Sequence, residues 1–152
     1  GTGFTGIAFA NPVPRYLSRI ARTLPVDPAR GATAALALSA AAIRQGDSLA
    51  WFPEGQRAPD GHLHDFRPGV GRLLARFPVR VIPLHIAGSF EAWPAGRHWP
   101  RRAPIVVRFG APIDPRALVP DLGAADAPER IARALQAAVS ELGACRSEGR
   151  RA

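Results

Sequence analysis

The stretch Trp51-Phe52-Pro53-Glu54-Gly55-Gln56-Arg57 predicts a strand that ends at a sharp corner. Residues 48–52, Ser-Leu-Ala-Trp-Phe, have the length and residue types of a buried strand. Pro53 has no backbone N–H to donate, so strand pairing must stop there. The residues that follow are therefore predicted to form a loop, in which Gly55 permits backbone angles that other residues resist.

Three residues of this loop predict a phosphate-binding site. The guanidinium of Arg57 is a planar fork of N–H donors that can make two parallel, charge-assisted hydrogen bonds to phosphate oxygens. Glu54 has the same charge sign as a phosphate, so we expect it to orient Arg57 or to accept a hydrogen bond from a ligand hydroxyl. Gly55 lets the backbone come close to the ligand.

The same block carries a resemblance to a known family. Residues 52–57, Phe-Pro-Glu-Gly-Gln-Arg, with Asp60-Gly61 and Phe66-Arg67-Pro68-Gly69 downstream, resemble the glycerophospholipid acyltransferase family, with Gln56 in place of the more usual threonine. The similarity runs from Thr5 to Pro115. It implies an enzyme that moves a fatty acyl group from acyl-CoA or acyl carrier protein, without a cofactor, to a hydroxyl of glycerol 3-phosphate or a lysophospholipid.

The resemblance also implies a second phosphate-binding arginine, Arg30, which follows a predicted strand at residues 24–27. Its order, Asp27-Pro28-Ala29-Arg30, departs from the family's commoner Asp-Arg order. The alternative is that Arg30 pairs with Asp27 or solvates a helix start. Arg67 likewise either extends the positive pocket or has a solvated structural role.

The family's catalytic base, the histidine of a His-x-x-x-x-Asp motif, is not found here. The residues five positions beyond His62, His64, His85 and His98 are Arg67, Gly69, Phe90 and Ala103. We therefore expect the sequence to begin after the motif and to contain no catalytic residue. The alternatives are a noncatalytic binder of phosphorylated lipid or anionic membrane and, ranked below it, a basic nucleic-acid-binding module.

Composition favours one domain in contact with anionic partners. The 152 residues carry a net charge of +8, with arginine and no lysine among the 20 basic residues. Such a charge suits an anionic bilayer, phosphorylated metabolites or nucleic acid, and no nucleic-acid-binding motif accompanies it. The one cysteine, Cys145, excludes an intrachain disulfide and favours a reducing compartment. We expect one acyltransferase-like domain over residues 1–143 and a disordered tail over residues 144–152.

Any membrane contact is predicted to be peripheral, on the cytoplasmic face. The longest apolar stretch, residues 32–43, is shorter than the roughly 20 residues that a membrane-spanning helix needs. Residues 12–24 predict a short basic amphipathic helix, which either packs on the core or lies on a membrane surface. Arginines and tryptophans would make the membrane contact.

The order of predicted elements indicates an α/β fold with a mixed, largely parallel sheet flanked by helices. A strand, a helix and a strand in close succession favour a parallel, right-handed crossover. Asp126 and Glu129 have the spacing of a capping box at the start of the last helix. The predicted strands are residues 24–27, 48–52, 79–86 and 105–109, and the predicted helices are residues 12–24, 32–45, 70–77 and 126–142.

Two other kinds of site are disfavoured. His62-Leu63-His64-Asp65 contains metal-ligating residue types, but the sequence has no further ligands at zinc spacing, so no metal site is predicted. Ser89 does not lie in a Gly-x-Ser-x-Gly motif, which disfavours a serine hydrolase.

Overall fold

The computed structural model describes residues 31–94, 97 and 99–145. Backbone contacts divide the chain into two units, Gly1–Leu49 and Ala50–Ala152. The amphipathic helix predicted at residues 12–24, the strand predicted at residues 24–27 and Arg30 lie outside the described residues. So does most of the predicted tail, and the single domain over residues 1–143 stays a prediction.

The described part of the first unit is the helix α1 (Gly31–Arg44) and the residues that end it. Gly46 has a left-handed φ of 80°, and its N–H donates to the carbonyl of Ile43 at 3.0 Å. Asp47 N–H donates to the carbonyl of Ala42, also at 3.0 Å. These two bonds satisfy carbonyls that the end of a helix leaves unpaired. The helix predicted at residues 32–45 is confirmed.

The second unit combines helices with a small sheet. The sequence predicted the helices at residues 70–77 and 126–142 and the strand at residues 105–109. It did not predict two short helices, Ser89–Ala92 and Pro115–Leu118. Asp114 caps the second of these, since its Oδ1 accepts a hydrogen bond from Arg116 N at 2.9 Å. The elements are α2 (Gly69–Arg76), β1 (Leu84–Ala87), α3 (Ser89–Ala92), β2 (Val106–Phe109), α4 (Pro115–Leu118) and α5 (Ala127–Ala144).

The core of this unit lies between α2 and α5. Gly71 lets the two helices approach closely, because a Cβ at that position would lie 1.8 Å from the carbonyl oxygen of Pro128. Ile131 on α5 is completely buried. Trp51 and Phe66, which lie near the two ends of the loop at residues 53–68, are partly buried and pack against the core. The buried cluster is formed by Val70, Leu74, Val119, Ala127, Ile131, Ala132 and Leu135.

Strands β1 and β2 pair antiparallel, with Leu84 opposite Phe109 and Ala87 opposite Val106. Val81 and Ile113 form a separate bridge, so the pairing is interrupted at Ile82 and Pro83. Pro83 lacks a donor and contributes only its carbonyl, which accepts from Gly110 N at 2.9 Å. Within the described residues the pairing is antiparallel, so the predicted largely parallel sheet is not observed there.

The strand predicted at residues 48–52 is wrong. Those residues pair with no strand among the described residues. Phe52 is 72% exposed, and its carbonyl accepts from Gly55 N in the following turn. Trp51 contributes to the core as a single side chain. The apolar composition of residues 48–52 therefore reflects one packed aromatic residue and not a paired strand.

Helix α5 also packs against the sheet. A Cβ at Gly143 would lie 2.9 Å from Nε2 of His85 on β1, so the strand and the helix are in close contact. The predicted capping box is wrong. Asp126 itself has helical backbone angles and makes no side-chain cap. Its carboxylate instead lies 3.8 Å from the guanidinium of Arg130.

Candidate functional site

The loop at residues 53–68 returns to its starting point and is closed by backbone hydrogen bonds. Gly55 N donates to the carbonyl of Phe52 at 3.1 Å, and Arg67 N donates to the carbonyl of Pro53 at 2.9 Å. The first bond forms the corner predicted at Pro53. The second brings the far end of the loop beside that corner. Residues 12 to 14 positions apart in sequence are thereby adjacent in space.

Gly55 is where the two ends of the loop touch. Its φ of 71° lies in the left-handed region that disfavours residues with a Cβ. A Cβ there would lie 2.9 Å from Nε of Arg67. Gly55 therefore lets the stem and guanidinium of Arg67 lie against the loop backbone. This fits the close backbone approach predicted for Gly55, although the group that approaches in the structure is an arginine.

The guanidinium of Arg57 rests on Trp93, which follows α3. Its central carbon lies 5.2 Å from the centre of the indole ring, and Nη2 donates a hydrogen bond to the carbonyl oxygen of Trp93. The Arg57 side chain is otherwise exposed. A cation over an aromatic face is attracted by the negative charge of the ring's π-electrons.

Glu54 holds the loop and does not contact Arg57. Its Oε2 accepts a hydrogen bond from His64 N at 3.0 Å. Among the described residues no ion pair joins Glu54 to an arginine. No hydrogen bond or ion pair joins Glu54 to Arg57 among the described residues, and an orienting role for Glu54 stays a prediction. A hydrogen bond that Glu54 accepts from a ligand hydroxyl also stays a prediction.

The histidine-rich part of the loop is organised by Asp60. Its Oδ1 accepts from His62 N at 3.0 Å and lies 2.9 Å from Nε2 of His64. The hydrogen bond from the His62 backbone, followed by that from the His64 ring, lowers the pKa of Asp60 below its ordinary value. No group of three metal-ligating side chains occurs in the part of the chain that the structure describes.

Two further contacts hold the loop against the rest of the unit. Gln136 on α5 accepts from Phe66 N and donates to Asp65 Oδ1, both at 3.1 Å. Gly61, with a φ of 79°, contacts the ring of Phe90, since a Cβ there would lie 2.9 Å from the ring. The loop is thus attached to α5 at one side and to α3 at the other.

The structure brings Glu54, Gly55, Arg57 and Arg67 together in one loop and leaves Arg30 outside the described residues. Sequence reasoning missed Trp93 and Phe90. The segment around Trp93 was predicted to be loop, and its aromatic residues next to arginines were the available signal. Nothing in one sequence links that segment to Arg57.

None of the helices in the part of the chain that the structure describes is long and apolar enough to cross a bilayer.

Comparisons with known proteins agree on one family. The acyltransferase family model matches residues 5–87. The 1-acyl-sn-glycerol-3-phosphate acyltransferase of Limnanthes alba is 36% identical over 67 residues, which cover 44% of this chain and 24% of that protein. The enzyme of the same name from Cocos nucifera is 32% identical over 73 residues, which cover 48% of this chain and 24% of that protein. The match thus spans about a quarter of the length of these curated relatives.

A solved structure shows the same fold. The crystal structure of the 1-acyl-sn-glycerophosphate acyltransferase PlsC from Thermotoga maritima matches 74% of this chain and 46% of that chain, with a TM-score of 0.59 and 24% identity. The α/β fold class predicted from the sequence is confirmed by this likeness.

Proposed function

This chain belongs to the glycerophospholipid acyltransferase family, and on that premise we propose that it binds the phosphorylated acceptor of an acyl transfer in phospholipid synthesis. The acceptor is glycerol 3-phosphate or a lysophospholipid such as 1-acyl-sn-glycerol 3-phosphate, which the names of the relatives contain. The donor is acyl-CoA or acyl carrier protein. Arg57 binds the phosphate, with Gly55 and Glu54 shaping the loop around it and Arg30 as a second phosphate-binding residue.

The observation that carries this proposal is that, among the described residues, neither of the loop's two arginines, Arg57 and Arg67, is in an ion pair. Arg57 is exposed, and no carboxylate among the described residues pairs with it. The two carboxylates three positions from Arg57 in sequence accept hydrogen bonds from other groups: Glu54 from His64 N, and Asp60 from His62 N. Arg67 adds a second guanidinium at Gly55. An anion that approaches this loop therefore meets donors that no internal ion pair has neutralised.

The chemistry explains why the acceptor's phosphate must be held. The acceptor's hydroxyl oxygen attacks the carbonyl carbon of a thioester, a C–O ester bond forms, and the C–S bond breaks to release the thiol, which receives the hydroxyl proton through a base. Holding the phosphate fixes the hydroxyl relative to that carbon and lowers the entropic cost of the step. No histidine of the 152 residues has aspartate five positions later, so the base is not assigned to any of them.

Binding of glycerol 3-phosphate to the purified chain, measured by isothermal titration calorimetry, tests the phosphate site. Because Arg57 makes charge-assisted hydrogen bonds, we expect Arg57→Ala to weaken binding by about 10- to 100-fold. Arg80→Ala is the matched control. Like Arg57, Arg80 is an exposed arginine, but it lies outside the loop at residues 53–68. Equal losses in the two variants would show a diffuse basic surface and would overturn the proposal.

Peripheral contact with the cytoplasmic face of a membrane is part of this function. The support is a set of exposed side chains near the loop after α3: Trp99 is 80% exposed, and Arg102 is also exposed. Aromatic rings favour the bilayer interface and arginines favour anionic lipid. We expect the chain to sediment with vesicles that contain phosphatidic acid and to do so less after Trp99→Ala. Sedimentation unchanged by Trp99→Ala would remove this segment from the contact.

A second candidate, a noncatalytic binder of phosphorylated lipid, is favoured by the lack of a His-x-x-x-x-Asp motif in these 152 residues. Reading the coding region upstream of Gly1 for that motif decides between the two. We expect the 152-residue chain alone not to acylate glycerol 3-phosphate efficiently. A rate that falls on Arg57→Ala would contradict this expectation.

A further inference from the structure

Trp93 contacts Arg57 through two different groups. The face of its indole ring lies under the guanidinium, 5.2 Å from ring centre to guanidinium carbon. Its backbone carbonyl accepts a hydrogen bond from Nη2 of Arg57. A ring contact fixes the plane of a guanidinium, and a hydrogen bond fixes its rotation within that plane. Together they define one orientation for a side chain that would otherwise sample many rotamers.

Trp93 is itself held in place. Its N–H donates to the carbonyl of Ser89 at 3.0 Å, which ends α3, and its Nε1 donates to the carbonyl of Arg97 at 2.7 Å. Arg101 N closes the segment by donating to the carbonyl of Ala92 at 2.8 Å. The packing of Phe90 on Gly61 attaches the same helix to the Arg57 loop. The support under Arg57 is therefore a fixed part of the fold.

The arrangement leaves Arg57 free to bind an anion. A guanidinium has two edges that each offer two parallel N–H groups and share Nη2. One hydrogen of Nη2 is used by the Trp93 carbonyl, so one complete edge remains for two oxygens of a phosphate. Preorganisation of that edge lowers the entropic cost of binding.

We infer that Trp93 is a positioning residue that holds Arg57 for the acceptor's phosphate, an inference that rests on the function proposed above. Trp93 acts through Arg57 and makes no bond to the phosphate. It contributes the indole face, which substitution can remove, and the carbonyl, which every substitution retains.

The test is glycerol 3-phosphate binding by calorimetry on Trp93→Leu and Trp93→Phe. Because the ring contact is a cation–π interaction at a partly exposed site, Trp93→Leu is expected to weaken binding by about fivefold. Trp93→Phe retains an aromatic face and is expected to recover most of that loss. Phe109→Leu, at an exposed aromatic residue of β2, is the matched control and is expected to leave the affinity within about twofold.

A double-mutant cycle separates positioning from a general structural effect. If Trp93 acts only through Arg57, then Arg57→Ala with Trp93→Leu binds no more weakly than Arg57→Ala alone. Additive losses, or a Trp93→Phe variant as weak as Trp93→Leu, would overturn the inference, as would tighter binding on removal of the ring. Melting temperatures identify any variant that has unfolded. If Trp93→Leu unfolds, the affinity of Trp93→Phe decides: near-normal binding supports the inference, and a loss of about fivefold overturns it.

The proposed function fails differently. If the unmodified chain does not bind glycerol 3-phosphate, or if Arg57→Ala binds as well as the unmodified chain, the phosphate site itself is wrong. If Arg57→Ala abolishes binding and Trp93→Leu has no effect, the phosphate site stands and Trp93 has no positioning role.

Discussion

The helix pair α2–α5 and the loop at residues 53–68 are adjacent in the fold but are stabilised in different ways. The helix pair is held by buried apolar side chains around Ile131 and by the close approach at Gly71. The loop is held by hydrogen bonds that the side chains of Glu54, Asp60 and Gln136 accept from backbone N–H groups. Its two arginines, Arg57 and Arg67, remain exposed.

This difference separates the residues that determine stability from those that determine binding. Apolar burial scales with the area removed from water and is insensitive to the presence of a ligand. The few hydrogen bonds that hold the loop contribute less to the free energy of unfolding than the buried core does. They fix the loop backbone, however, and so determine the position of its guanidinium groups. Substitutions in the two regions should therefore change different measurements.

The largest loss of stability is expected for Ile131→Ala. Because Ile131 is fully buried, removal of its side chain leaves a cavity and should lower the free energy of unfolding by about 2–5 kcal/mol. Urea unfolding measures this. Affinity for glycerol 3-phosphate in the absence of urea should change little. If Ile131→Ala strongly weakened glycerol 3-phosphate binding but hardly changed the free energy of unfolding, the proposed division between the two regions would be wrong.

Gly55→Ala should act mainly on binding. The left-handed backbone costs about 1–2 kcal/mol for a residue with a Cβ, and that Cβ would also displace Arg67. Gly46→Ala is the control, because Gly46 has a similar φ of 80° but no atom within 4 Å of the added Cβ. We expect similar losses of stability and a loss of glycerol 3-phosphate affinity only for Gly55→Ala. Equal affinity in the two variants would exclude a role for Arg67.

Glu54→Ala should destabilise the loop by about 1 kcal/mol, since His64 N loses its acceptor. Glu54→Gln retains an acceptor oxygen and removes the negative charge, so it should preserve stability and bind glycerol 3-phosphate at least as tightly. Thermal unfolding and calorimetry on both variants measure these effects. Weaker binding by Glu54→Gln would show that the carboxylate itself contacts the acceptor.

The smallest effect concerns acid stability at Asp60. Hydrogen bonds to its carboxylate lower its pKa in the folded chain below the ordinary value of 3.8. Its contribution to stability is therefore present above that value and is lost as the pH falls through the folded-state pKa. Asp60→Asn should make the fall of melting temperature with acid shallower below about pH 4. His64→Ala should have a weaker effect in the same direction, and a steeper fall for Asp60→Asn would contradict the sign.

The sequence predicted the helices of this fold better than its pairings. The helices predicted at residues 32–45 and 126–142 agree with α1 and α5 to within two residues at each end. The strand at residues 48–52 was wrong because apolar composition does not reveal a partner. The capping box was wrong because capping depends on the backbone angles of Asp126, which are helical.

The sequence predicted the local part of the candidate site and missed its long-range contact. Phosphate binding by Arg57, Glu54 and Gly55 was inferred from neighbouring residues in one motif, and the structure places these residues in one loop. The contact between Arg57 and Trp93 joins residues 36 positions apart. Such a contact depends on the route of the chain through β1 and α3, which local sequence does not specify.

The most direct measurement is a crystal structure of this chain with glycerol 3-phosphate. Phosphate oxygens should lie about 2.7–2.9 Å from nitrogens of the Arg57 guanidinium, the usual length of such charge-assisted bonds, with the indole ring of Trp93 still beneath it. A phosphate bound elsewhere on the chain, with Arg57 still on Trp93 and in contact with no ligand, would contradict the assignment of this loop as the acceptor site.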